Sequence, residues 1–137
     1  MKAKIFLLAT AIFLLTNCKK SENFEATFNE ETPEGLFHWN VVKVEGPNTG
    51  LVNQIVTLNV SYPTSSGCDY VSQFVSDNSL GKTIRIKAYG ATSDGPCTMD
   101  AVPKVIQYKF TPLVKGNYIL TFINKNETEI KHSLTIN

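Results

Sequence analysis

Histidine, cysteine and tryptophan are scarce in this chain of 137 residues, which has two, three and one of them respectively. His38 and His132 lie far apart, each inside an alternating apolar/polar run. A base for nucleophilic catalysis needs a serine or cysteine within hydrogen-bond reach and a carboxylate to orient it. No GxSxG, HExxH or glycine-rich phosphate phrase supplies that setting, and no DxDxDG loop offers calcium its ligands. His132 shares a face with Ile130 and Leu134, which suits the margin of a core better than a base. These absences predict a protein that is not an enzyme, with no resident metal and no cofactor. Charge is also missing as a net quantity: 13 Lys and Arg stand against 12 Asp and Glu. Without a basic composition, nucleic acid is excluded as an expected partner. No apolar run approaches the ~20 residues that span a bilayer core.

The longest apolar run, Ile5–Leu15, has eleven residues. Lys2 and Lys4 precede it and Cys18 follows almost at once. A basic start, a short apolar core and a processing site are the layout of a secretory signal peptide. Leu15-Thr16-Asn17-Cys18 resembles the lipobox of bacterial lipoproteins, with Asn17 standing where Gly, Ala or Ser is usual. The resemblance implies that Cys18 is lipidated and becomes the new N-terminus. The short signal, followed directly by a Lys/Ser/Glu-rich stretch, is similar to lipoproteins of the Bacteroidetes. The implied address is the bacterial cell envelope, as an outer-membrane lipoprotein on the periplasmic or the exposed side.

Three segments follow from this layout. Residues 1–17 form the signal peptide. Residues 18–35 form the lipidated cysteine and a flexible polar tether, with Glu22, Glu25, Glu30 and Glu31 as solvated charges. Residues 36–137 form one domain, since the mature chain is long enough for one core and too short for two. Losing Lys2 and Lys4 leaves eleven basic against twelve acidic side chains.

With Cys18 assigned to lipid, Cys68 and Cys97 remain as a pair. In an oxidising compartment such a pair reads as a disulfide, and no neighbouring histidine or second CxxC favours a metal site. Closing a loop of about 30 residues stabilises by roughly 3–4 kcal/mol in the chain-entropy model. Both cysteines sit in turn-like phrases, so the bridge is expected to tie loops at one end of the fold and not to cross a core.

The domain has a period of two throughout, and no twelve-residue window past the signal carries a helical stripe. QIVTLNVSY sets Val56, Leu58 and Val60 on one face, and KTIRIKAYG does so with Ile84, Ile86 and Ala88. KVIQYKF, GNYILTFIN and EIKHSLTIN repeat the pattern with Ile106/Tyr108/Phe110, Tyr118/Leu120/Phe122 and Ile130/His132/Leu134/Ile136. LFHWNVVKVE alternates until Val41-Val42 shifts its phase, predicting a bulge. DYVSQFVS, over 69–76, is the weakest of seven strands. Seven short strands between turn phrases such as GPNTG and SDGP predict an all-β, antiparallel sandwich. In FTPLVKGNYILTF, Tyr118 follows a glycine turn at a strand start, which resembles the tyrosine corner of immunoglobulin-like domains. Leu120 stands where antibody-type domains place a cysteine, so the resemblance reaches the architecture: an immunoglobulin-like β-sandwich.

Loops at the ends of a sandwich commonly carry recognition. A bridge between YPTSSGCDY and ATSDGPCTMD stiffens both and lowers the ordering cost of binding. Tyr62, Tyr70, Tyr89 and Met99 are the candidate anchors beside them, with Pro63, Thr64 and Gly67 in the loop itself. The expected function is therefore a lipid-anchored envelope module that binds a protein partner without catalysis. YPTSSG also resembles the NPTTG loop of chagasin-type cysteine-protease inhibitors, which are immunoglobulin-like, and this implies a protease as one possible partner. There Pro63, Thr64 and Gly67 take the inhibitory positions, while INKNET and ATSDGPC replace the family's other two loops. A glycan is the third partner class, suggested by the envelope address and by Trp39 as a stacking surface. Trp39 alternates with Phe37 and Val41, which favours the core. Changing Cys18 to Ser is expected to move the protein from the membrane to the soluble fraction and to abolish labelling with a fatty-acid probe.

Overall fold

Alternation builds the strands, and branched or aromatic side chains occupy most inward positions. The structure, a computed structural model, describes residues 32–137. The signal segment, Cys18 and the tether as far as residue 31 lie outside the described residues. Within them the chain forms nine strands and no helix. These are β1 (Phe37–Trp39), β2 (Lys43–Glu45), β3 (Thr49–Gly50), β4 (Val56–Tyr62), β5 (Asp69–Leu80), β6 (Thr83–Thr92), β7 (Lys104–Phe110), β8 (Gly116–Ile123) and β9 (Glu129–Ile136).

Two sheets share them. The smaller has the order β2-β4-β7. In the larger, β5 lies along one edge of β6, while β1 and β8 divide the other edge between them; β9 and β3 follow β8. The sheets meet through Val56, Leu58, Val60, Tyr62 and Tyr108 of the small sheet and Ile84, Ile86, Leu120, Phe122 and Leu134 of the large one. Tyr108 sits edge-on to both Phe74 and Phe122, at centroid distances of 5.3 and 5.5 Å, a favourable quadrupole arrangement across the interface. Its hydroxyl lies 3.0 Å from Ser76 Oγ, so the buried phenol keeps a polar partner.

The expected first strand becomes two short ones, β1 and β2, and β3 forms within GPNTG, expected as a turn, which accounts for nine strands against seven. At the predicted phase shift the chain leaves the large sheet and joins the small one. Val42 N–H donates to Ser61 O at 2.9 Å as β2 takes its place beside β4. Val41, caught between sheets, gives its N–H to Asn124 Oδ1 at 2.7 Å and accepts from Asn124 Nδ2 at 3.2 Å. One amide thus satisfies both backbone groups of the residue that has left the ladder. β5, expected over 69–76, runs to Leu80 and is the longest strand, with register shifts at Val71/Gln73 and Asp77/Leu80. Bulges of this kind on an edge strand discourage pairing with another chain.

Two pairings are parallel: β3 with β9 and β6 with β8. A parallel pair needs a long crossover, and the path from β6 to β8 provides one by passing through β7 of the opposite sheet. The Tyr118 corner forms as its phrase predicts. Its buried hydroxyl donates to Val114 O at 2.9 Å, and its ring packs on Phe110 at 5.3 Å. Removing only that hydroxyl, Tyr118→Phe, is expected to cost about 1 kcal/mol in urea unfolding, the usual net value of one such bond, with the slope unchanged.

Candidate functional site

Both excursions between the sheets on the β6–β7 side occur at one end of the sandwich. Residues 63–68 carry the chain from β4 of the small sheet to β5 of the large one, and residues 93–103 return it from β6 to β7. Cys68 and Cys97 form a disulfide between these two loops, with Cα atoms 5.4 Å apart. The expected bridge therefore ties loops at one end. Gly67 N–H donates to Thr98 O at 2.9 Å and Ser93 N–H to Cys68 O at 3.1 Å, which extends the seam on both sides of the bridge.

Asp69, 1% exposed, is the centre of this end. Oδ2 accepts from Ser65 N–H at 2.6 Å, Ser65 Oγ at 2.8 Å and Ser66 N–H at 2.9 Å; Oδ1 accepts from Thr92 Oγ1 at 2.7 Å. The carboxylate closes the turn that precedes it and joins it to the last residue of β6. Hydrogen bonds from the Thr92 hydroxyl and then from Ser65 hold its pKa well below the usual carboxylate range, because each favours the charged form. Lys104, at the start of β7, donates to Gly67 O at 2.7 Å and Asp69 O at 2.6 Å and so clamps one sheet to the other.

The candidate anchors divide into inward and outward groups. Tyr62 is buried in the core, edge-on to Trp39 at 5.9 Å, and its hydroxyl accepts Val71 N–H at 3.3 Å. Thr64 is buried too and donates to Val102 O at 2.7 Å. Tyr89, only 2% exposed, lies beside His38 at 5.5 Å. These three side chains are turned into the fold. Pro63, Gly67 and Tyr70 remain exposed, and Met99 is 94% exposed. Of the three residues at the inhibitor-like positions, Pro63 and Gly67 therefore face outward and Thr64 does not. Val102, 59% exposed, joins Met99 on the same loop. Its signal in the sequence was an apolar residue in a turn-rich segment without alternation, which gives no direction for the side chain.

Trp39 is half-buried against the core. Its Nε1 lies over Gly90, where an added Cβ would meet that nitrogen at 2.8 Å and collide with the Tyr70 carbonyl. The indole thus occupies the space that glycine leaves open. Neither histidine sits near a nucleophile in a hydrogen-bonded relay. Nε2–H of His38 donates to Ile123 O at 2.7 Å, and Nε2–H of His132 donates to Pro47 O at 2.9 Å. Burial lowers the basicity of His38, with the Ile123 bond acting in the opposite sense. Among the described residues no group of three or more His, Cys, Asp or Glu is arranged to hold a metal ion. No protein-family model, curated protein or solved structure matches the chain.

Asp69 sets an acid limit on this end. Its depressed pKa contributes stability that is complete above the unfolded value near 4 and is lost as the pH falls through that range toward its folded value. Asp69→Asn is expected to be less stable than the parent at pH 7. The gap should narrow below about pH 4, as chemical unfolding at a series of pH values will measure.

Proposed function

We propose that this protein is a lipid-anchored, immunoglobulin-like binding module of the bacterial cell envelope, without catalytic activity, that holds a protein partner on its disulfide-locked loops. The tyrosine corner supports the immunoglobulin-like reading, and the parallel β6–β8 pair marks where this chain differs from two purely antiparallel sheets.

The observation that carries the binding reading is a contrast within residues 93–103. Their backbone is fixed by the bridge, by the Gly67–Thr98 bond and by the Thr64–Val102 bond, while Met99 and Val102 project into solvent. A large apolar side chain held out on a fixed loop gains little for folding. It is suited to burial against a partner, since the ordering cost has been met in advance. Asp94 and Asp100 flank the bridge on this loop, so a partner surface that combines an apolar hollow with basic residues fits it. The backbone bonds of both histidines support a structural role for them and, with it, the non-catalytic reading.

A photo-crosslinking side chain at Met99 of the anchored protein, irradiated in native envelopes, is expected to give one discrete protein adduct. Val102→Glu should abolish it. The same group placed at the exposed Gln107 of β7 should give none. Absence of any adduct from Met99 would remove these loops as the recognition surface.

A further inference from the structure

The end of the sandwich away from the disulfide carries a second exposed apolar surface, and its charge differs from that of the first. Register defines this end. β4 starts there at Val56, opposite Phe110, the last residue of β7; β8 starts there at Gly116, opposite Ile136 of β9. The β5–β6 turn reaches the same rim, since Ile119 N–H donates to Lys82 O at 2.9 Å. Residues 51–55 and 111–115 are tied together by the bond from Asn53 N–H to Pro112 O at 2.8 Å. Leu51, Ile55, Leu113 and Val114 are exposed on these two loops, Leu113 at 74% and Ile55 at 65%. Leu80 and Ile119, also exposed, continue the surface along the outer face of the large sheet.

The cations around this surface are Lys82, Lys109 and Lys115. Lys82 is held at the rim by donating to Lys115 O at 2.7 Å, with its ammonium 6.0 Å from the Tyr118 ring centroid. Arg85 is also near, and it faces Asp77, its register partner on β5; the Asp77 carboxylate in addition accepts Ser79 N–H at 2.8 Å. Glu34, Asp69, Asp94, Asp100 and Glu127 belong to the opposite end, and so do the cations Lys43, opposite Ser61, Lys104, at the start of β7, and Lys125, in the turn that holds Glu127. The two ends of the described domain thus differ: one has apolar loop tips ringed by lysines, and the other mixes carboxylates with lysines.

We infer that these loop tips dock on the surface of an anionic phospholipid bilayer, as a contact separate from the N-terminal lipid and from the disulfide loops. The occupant follows from shape and charge together. The apolar side chains stand exposed on loops, so they suit insertion among headgroups and acyl ends, where apolar area and lysines act together. The opposite end mixes carboxylates with lysines and offers the same surface no comparable attraction, which orients the domain with Met99 and Val102 pointing away from the membrane.

The test places a reporter at the tip. The full-length Leu113→Trp chain is mixed with vesicles of phosphatidylcholine alone or with phosphatidylglycerol, each with or without chain-brominated lipid. The wild-type chain supplies the Trp39 background. The N-terminal segment contributes equally to every variant, so the readout is local burial of the new indole and not sedimentation. The expected result is a blue shift and bromine quenching that require phosphatidylglycerol. Lys115→Glu in the same chain should raise the lipid concentration for half-quenching about tenfold. Leu113 and Lys115 are exposed, and an unchanged near-ultraviolet circular dichroism spectrum will verify that the fold is kept. An indole that stays unquenched while the chain is vesicle-bound overturns the proposal, as does equal quenching on neutral vesicles. A blue shift without lipid that grows with protein concentration also overturns it, in favour of a second copy of the chain.

Discussion

The carboxylate of Asp69 is the constraint on which the disulfide end depends. It is buried, charged and saturated by four donors, so the β4–β5 loop can take only the path that presents Ser65 and Ser66 to Oδ2 and Thr92 to Oδ1. A buried charge is tolerated only where hydrogen bonds replace its water. Moving any of these donors away leaves that charge exposed to an apolar interior. Once the loop is held, Cys68 lies within bonding distance of Cys97, and the carbonyls of Gly67 and Asp69 converge on Lys104. The covalent bridge and the lysine clamp are therefore extensions of one polar arrangement. They close the side of the sandwich where the small sheet, with three strands, is narrower than the large one.

That closure separates interior from surface among residues that look alike in sequence. Tyr62 and Tyr70 flank the same loop, yet Tyr62 ends a core-facing series begun by Val56, whereas Tyr70 lies between two inward residues, Asp69 and Val71. Thr64 and Met99 both sit in turn-rich phrases. The threonine turns inward to cap a carbonyl, while the thioether stands in solvent. The consequence is a domain with two different ends. One is polar, cross-linked and of mixed charge around a few projecting apolar groups. The other is apolar at its loop tips and basic at its rim, and it is held by backbone bonds between loops without a covalent tie.

Legibility in the sequence followed the strength of local patterning. Strands with a strict two-residue alternation and one dry face, such as β4, β6 and β9, were readable because their burial depends only on parity. β5 was the weakest reading, since an edge strand with two bulges loses its parity twice and buries little after Phe74. The first strand was read as bulged where it instead changes sheets. Val41-Val42 marks the phase change in either case, and only the distant amide of Asn124 makes the crossing affordable for Val41. The parallel placement of β8 beside β6 left no local trace, because pairing partners are chosen by the packed sheets and not by either strand alone.

The sequence by itself determined the all-β class, most strand positions, the pairing of Cys68 with Cys97 and the bond of Tyr118 back to its loop. Each of these rests on periodicity, on cysteine arithmetic or on a contact only a few residues long. Tertiary structure alone decided which loop residues face water, which sheet each segment joins, and that leucines and a valine far from the bridge gather with lysines at one end. Those outcomes depend on the competition of many distant groups for a single enclosed volume and its hydrogen-bond donors. No window of neighbouring residues contains that competition.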